Sequence, residues 1–286
     1  MSTRSYTSAP RRTLGYLALV VFAVIYLGPF IIQIATSFKT DADAANHSLS
    51  LIPRPVSTNA WQRLFGYGSG EAVPFGRWLT NSIIVATCIT LGRVFLDSLA
   101  GYALARLQFR GRRLIFAGVL ATLAVPGVVL LIPRFLILKQ LTLYNSYAGM
   151  ILPIMVDAAG IFIMRQFFLQ VPVELEEAAR IDGAGIFKTY WTVVLPLVRP
   201  GLLTLTILSF QGSWNEFSFF LVATSDAKYN TLTTGLAKFS SGSLGSGTQY
   251  PVNMGAALLT TIPVAILFFL FQRQFSGSQL SGGVKG

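Results

Sequence analysis

Six long apolar runs leave this 286-residue chain few folds to choose from. The runs cover about residues 14–36, 78–104, 114–136, 148–168, 202–222 and 253–271. Each reaches the roughly 20 residues that a helix needs to cross the hydrocarbon core of a bilayer. Lipid cannot satisfy backbone polar groups, so such spans must be helical. Only 12% of residues are charged, against about 25% in ordinary soluble domains, and the mean hydropathy is +0.61. The expectation is an all-α integral membrane protein with six transmembrane helices and no second domain. The first run is too long for a signal-peptide core and has no small-x-small cleavage pattern before Ser37-Phe38-Lys39, so it should stay as an anchor.

The formal net charge of +11 reads as topology. No basic run is interleaved with aromatics, which argues against a nucleic-acid partner. With six spans both termini lie on one side. That side collects Arg4, Arg11 and Arg12, then Arg106, Arg110, Arg112 and Arg113, then Arg165, Arg180, Lys188 and Arg199, then Arg273 and Lys285. The opposite loops are longer and hold fewer cations: Lys39, Arg54, Arg63, Arg77, Arg134, Lys139, Lys228 and Lys238. The positive-inside rule therefore predicts cytoplasmic tails at 1–13 and 273–286, a first span at 14–36, an extracytoplasmic loop at 37–77, and a core at 78–272 whose segment 172–199 is cytoplasmic. Segments 40–77 and 224–252 read as irregular outer-face elements, the latter with a Ser/Gly-rich run at 240–247. The single cysteine, Cys88, rules out an intrachain disulfide and a Cys-based metal site.

The cytoplasmic segment has a defined shape. Pro172 suits a first helical turn because its missing N–H costs nothing there. Glu174, Glu176 and Glu177 follow where negative charge complements the helix dipole, and Gly183 is placed to end the helix in a left-handed conformation. Beyond it Ile186, Phe187, Tyr190, Trp191 and Val194 recur at helical spacing, and Leu195-Pro196 is expected to close that second helix. Physics alone permits either an interfacial hairpin packed beneath its own bundle or a docking element.

The spacing Glu177-Ala178-Ala179, three residues, Gly183, nine residues, Val193, one residue, Leu195-Pro196 resembles the EAA loop of membrane subunits of bacterial ATP-binding cassette importers. Tyr102-Ala103-Leu104-Ala105-Arg106-Leu107 with Phe109 and Gly111-Arg112, Arg165-Gln166-Phe167-Phe168, Trp214-Asn215-Glu216-Phe217, Gln272-Arg273 and the ending Gly283-Val284-Lys285-Gly286 narrow the resemblance to MalG-like permeases of carbohydrate importers; Ser278-Gln279 departs from the family's glycine-leucine pair. The resemblance implies the type I importer permease fold, with a coupling helix between spans four and five. It makes Glu177 the ionic contact to an ATPase subunit, Ala178 and Ala179 the close-approach surface and Gly183 the bend, with Asp182, Leu195 and Pro196 in the same coupling loop. It also implies the partners: a second homologous permease, two ATPase subunits or domains that bind ATP and Mg2+, and an extracytoplasmic solute-binding protein. The setting is membrane lipid in a bacterial inner membrane. No Walker-type phosphate loop occurs in the chain, so no cofactor and no catalytic residue is expected on it, and no metal.

Ionisable groups inside spans are functional candidates by default. Arg93 and Asp97, four apart on span two, share a helix face and read as an intramembrane ion pair. Asp157 has no local partner. Trp214, Asn215 and Glu216 combine an aromatic face with amide and carboxylate, the groups that hold sugars, so these three and Asp157 are candidates for the translocation pathway. Pro126, Pro133, Pro153 and Pro263 are candidate kinks. Two rivals stand beside the importer reading: a gradient-driven secondary transporter using Arg93, Asp97, Asp157 and Glu216, and an integral-membrane transferase, for which the only histidine, His47, offers little.

Overall fold

The computed structural model describes residues 9–67, 73–241 and 249–280, with side chains described over 13–67, 73–241 and 249–272. The Ser/Gly-rich run from 242 onward and the ending Gly283–Gly286 lie outside the described residues. Among the described residues all regular structure is helical. In chain order the helices are α1 (Ala9–Ser37), α2 (Asp41–Asn46), α3 (Asn59–Leu64), α4 (Phe75–Arg106), α5 (Arg112–Leu123), α6 (Leu131–Gln140), α7 (Tyr147–Ile151), α8 (Ala158–Leu169), α9 (Val173–Ile181), α10 (Ile186–Thr189), α11 (Leu195–Leu197), α12 (Arg199–Trp214), α13 (Ser218–Ala223), α14 (Leu232–Ser240) and α15 (Tyr250–Leu280).

Three of the six apolar runs form unbroken helices long enough to cross a membrane: α1, α4 and α15. Pro263 sits inside α15. The other three runs, two of which carry the candidate kinks Pro126, Pro133 and Pro153, are broken. The third bends by 98° between α5 and the segment Gly127–Gln140, where Pro126 takes an extended backbone that α-helix cannot accommodate. The fourth bends by 45° between Tyr147–Ile154 and α8, with Met155–Asp157 as the break. The fifth run divides into α12 and α13 at Asn215–Phe217. Each break frees backbone groups from the helix, which in a membrane span is tolerated only where protein or a polar cavity satisfies them.

The chain divides into two compact units. One comprises the described parts of Met1–Phe75 and Leu236–Ile262. Its loop after α1 was expected to be irregular, yet it is ordered around buried charge. Lys39 is buried and donates from Nζ to the His47 carbonyl at 2.6 Å. Thr40 caps α2 by accepting from the Asp43 N–H. Buried Asp43 accepts from the Arg54 N–H at 3.0 Å and lies 3.1 Å from the exposed His47 ring. Phe38 packs against Trp61 of α3, with ring centres 5.8 Å apart. The side-chain cap of α2 and the hydrogen bonds of buried Asp43 and Lys39 supply the order that a Pro- and Gly-rich composition hides.

The second unit, Gly76–Gly235 with the described part of Pro263–Gly286, carries the candidate sites. Two apolar clusters lie along α4. The first joins Val85 and Ile89 to Leu138, Met150, Ile154, Phe219 and Phe220. The second joins Tyr102 and Ala105 to Met164, Phe168, Tyr190, Val194 and Leu205. Arg93 and Asp97 fall between them in sequence, so a polar layer interrupts the core. Glycines bring α4 and the fourth run together: a Cβ at Gly92 would strike Met155, and one at Gly101 would lie 2.9 Å from the Arg165 nitrogen. Small residues at such crossings let helix backbones approach where lipid supplies no hydrophobic drive.

Candidate coupling loop and polar layer

The loop after α8 folds as helix, turn, helix. Val173 opens α9, with Pro172 at its cap and Glu174 and Glu176 in the first turn. The helix ends in a Schellman closure. The Gly183 N–H donates to the Arg180 carbonyl at 3.0 Å, the Ala184 N–H donates to the Ala179 carbonyl at 2.9 Å, and Gly183 sits at φ +76. That left-handed geometry is what requires glycine here.

The adjacent glutamates of α9 point apart, because successive helical residues differ by about 100° in direction. Glu176 is buried, and its Oε1 lies 3.0 Å from Arg106 Nε. The Tyr102 hydroxyl donates to Glu176 Oε2 at 3.2 Å. Arg106 also donates to the Val171 carbonyl. A charged strut thus fixes the loop to the end of α4. Glu177, Ala178, Asp182 and Gly183 remain exposed, Ala179 turns inward, and Ile181 is 87% exposed. The spacing argument singled out Glu177 and overlooked Glu176. The adjacent arginine-tyrosine spacing on α4, Tyr102 and Arg106, was the available signal for it.

Leu195-Pro196 was expected to end the second helix, and it does not. The chain stays helical through Leu197 and turns at Val198, bending by 82° into α12. Pro196 cannot donate a hydrogen bond to the preceding turn, and Tyr190–Val194 widens into a π-helix just before it. Such a bulge relieves the clash that proline makes in a regular helix. Tyr190, buried in this bulge, meets the Ser98 hydroxyl of α4 at 2.7 Å.

The expected Arg93–Asp97 ion pair is absent among the described residues, because each group answers a different end of the broken fourth run. Arg93 Nε donates to the Ile154 carbonyl at 2.9 Å, at the C-terminal end of the first half. Asp97 is fully buried, and its Oδ1 accepts from the Asp157 N–H at 3.1 Å, at the N-terminal end of α8. Cation at the carbonyl end and carboxylate at the amide end match the helix dipoles of the two halves. A Cβ at Gly160 would collide with Asp97 Oδ2 and approach Leu205 to 2.9 Å, so glycine makes room for the carboxylate.

A polar cavity of about 200 Å3 opens beside this break. It is lined by Arg93, Arg134, Ile154, Val156, Asp157, Gly212, Ser213 and Glu216. Asp157 and Glu216 therefore come together, although they belong to different runs. Glu216 Oε1 accepts from the Phe219 N–H at 2.8 Å and so caps α13. Arg134, first read as an outer-loop charge, lies on α6 with its guanidinium 5.5 Å from the Phe219 ring centre. Trp214 and Asn215 do not line the cavity. Trp214 is buried and stacks on Phe210, and exposed Asn215 donates to the Gln211 carbonyl of its own helix.

Residues 97–277 match the family described as "Binding-protein-dependent transport system inner membrane component". The chain is 34% identical over 261 residues to the sn-glycerol-3-phosphate transport system permease protein UgpE of Yersinia pestis bv. Antiqua (strain Antiqua), covering 91% of this chain and 92% of that protein. It is also 34% identical over 274 residues to the arabinooligosaccharides transport system permease protein AraQ of Halalkalibacterium halodurans, covering 96% and 95%. Its fold is similar to that of a chain in a bacterial ABC transporter involved in the import of the acidic polysaccharide alginate, with a TM-score of 0.79 at 24% identity over 94% of this chain and 98% of that one. These relatives do not favour a gradient-driven transporter or a transferase. With its apolar helices this is a membrane-embedded, multi-pass protein, and the chain belongs to the family of inner-membrane permease components of binding-protein-dependent transport systems.

Proposed function

We propose that this permease couples ATP hydrolysis on partner subunits to the import of a sugar or related solute across a bacterial inner membrane. The observation that carries this reading is the exposed Glu177–Gly183 face, held out on a helix whose other face is tied to α4 through Glu176 and Arg106. In this reading six spans, three of them broken, place both termini and α9 in the cytoplasm. Glu177 pairs with a cation on an ATPase subunit, Ala178 and the turn at Asp182 and Gly183 seat in its groove, and inward-facing Ala179 lets α9 lie close on its own bundle. Leu195 and Pro196 transmit the motion into α12. The chain itself binds no nucleotide; ATP and Mg2+ belong to the ATPase pair, and the chain is not an enzyme.

A second homologous permease completes the pathway, and an extracytoplasmic solute-binding protein delivers the cargo. The names of the relatives carry sn-glycerol-3-phosphate and arabinooligosaccharides, so a sugar, a polyol or a glycerol phosphate derivative is the solute class. The cavity joining Asp157 and Glu216 to Arg93 and Arg134 is the part of the pathway that this chain supplies, with Trp214 and Asn215 next in sequence to its lining residues Ser213 and Glu216. Replacement of Glu177 by alanine or of Gly183 by valine is expected to abolish uptake and substrate-stimulated ATPase activity while membrane insertion persists. Normal uptake by both variants overturns the docking assignment.

A further inference from the structure

A large cavity at the loop-bearing end of α4 plays no part in the coupling face. It measures about 710 Å3 and is lined in part by Arg112, Arg113, Arg165, Phe109 and Phe116. Arg112 caps the end of α4, donating to the carbonyls of Leu104, Ala105 and Leu107 at 2.8, 2.8 and 3.2 Å. Arg165 Nε donates to the same Leu104 carbonyl at 3.2 Å, and its guanidinium lies 3.9 Å from the Phe116 ring centre. Two like charges are therefore gathered on one backbone oxygen. Among the described residues exposed Arg113 has no hydrogen-bond partner, and no carboxylate lies within ion-pair distance of any of the three. The first turn of α5 adds amide groups that no side chain caps, where the helix dipole favours an anion.

The wall next to this basic basin is apolar. No residue of α5 is buried; Leu114 is 78% exposed and Ile115 half exposed, and Phe116 stacks on Phe162. A phosphate bound by the arginines would leave the rest of its molecule lying along hydrocarbon. A free anion uses only the first half of this arrangement.

We propose that Arg112, Arg113 and Arg165 form a headgroup site for an anionic glycerophospholipid of the cytoplasmic leaflet, with an acyl chain lying along Leu114 and Phe116. The leaflet assignment rests on the orientation given under the proposed function; the chemistry of the site does not. Basic pockets at the cytoplasmic ends of membrane helices suit such headgroups, each guanidinium near an anionic surface contributing roughly fivefold in affinity.

The test is native mass spectrometry of the full-length chain, purified in detergent with whatever subunits accompany it. It is titrated with dioleoyl phosphatidylglycerol, dioleoyl phosphatidylcholine and inorganic phosphate. Phosphatidylglycerol is expected to bind in preference to phosphatidylcholine, to resist displacement by millimolar phosphate, and to weaken roughly fivefold in Arg113→Gln. Among the described residues Arg113 has no hydrogen-bond or ion-pair partner to lose, so this variant decides even where Arg165→Gln fails to fold. Equal binding of the two lipids, unchanged affinity in Arg113→Gln, or displacement by phosphate overturns the site. Labelling of Arg113→Cys in a Cys88→Ser background by an impermeant maleimide added outside intact cells overturns the leaflet assignment alone. Loss of ATPase co-purification in Glu177→Ala reads the coupling proposal separately from either result.

Discussion

Helix α4 carries buried charge at two levels and neutralises it in two ways. Near its middle, Arg93 and Asp97 do not meet each other; each faces one end of the broken fourth run, through the Ile154 carbonyl and the Asp157 N–H. At its end, Arg106 meets a full counter-charge, Glu176, at 3.0 Å. A helix end supplies only about half an elementary charge, and only while the break persists. A carboxylate supplies a whole one wherever it is carried. The middle level is therefore tied to the shape of the broken run and its polar cavity, whereas the end level fixes α9 to α4 as one lever. Shape change is expected beside Asp157, and rigid transmission at Glu176.

The largest effect should come from breaking the direct pair. Arg106→Ala leaves Glu176 buried without its counter-charge, a change that costs about 3–5 kcal/mol in buried pairs. Thermal unfolding in detergent should show a large loss of stability for Arg106→Ala and for Glu176→Ala. The apolar double variant Arg106→Met/Glu176→Met should recover most of it, because no lone charge remains. A double variant no better than either single one would show that the strut is not an ion pair in function.

The middle level should respond less and differently. Asp97→Leu removes the acceptor of the Asp157 N–H and is expected to cost about 1–3 kcal/mol. Asp97→Asn keeps an oxygen in place and should cost less than half of that. A double-mutant cycle between Arg93 and Asp97 should give a smaller coupling than the Arg106–Glu176 cycle, since helix ends stand between the two groups. A coupling as large as that of the direct pair would restore the ion pair that four-residue spacing suggests.

That suggestion marks where the sequence stops being legible. Hydropathy located six runs because burial in lipid demands long apolar stretches, and α1, α4 and α15 follow it closely. Pro126 was a candidate kink and the third run does break there; the breaks at Met155–Asp157 and Asn215–Phe217 were missed because apolar composition continues through them and a window average absorbs Asp157 and Asn215-Glu216. The turn at Gly183 was legible because it is local chemistry. The division between Glu176 and Glu177 was not, since it depends on which face of α9 meets Arg106, a contact about 70 residues away in sequence. Arg134 was assigned to a loop for the same reason: its partners, Phe219 and the cavity wall, come from other runs.

Asp43, outside the membrane spans, offers a third and milder case, a buried carboxylate neutralised mainly by backbone. The Arg54 N–H, then the His47 ring and Lys39, hold its carboxyl below the usual carboxylate range against the opposing effect of burial. A group whose pKa is depressed by folding binds protons more readily when unfolded, so its contribution is complete at neutral pH. It is lost only as pH falls through the depressed value. Hydrogen exchange across residues 40–64 should therefore be flat between pH 7 and pH 5, after correction for intrinsic rates, and protection of the Arg54 amide should drop in more acidic solution. Asp43→Asn should remove that pH dependence while α4 and α9 keep their protection. Loss of protection that Asp43→Asn leaves unchanged would show that the Asp43 carboxylate is not the group that holds this loop.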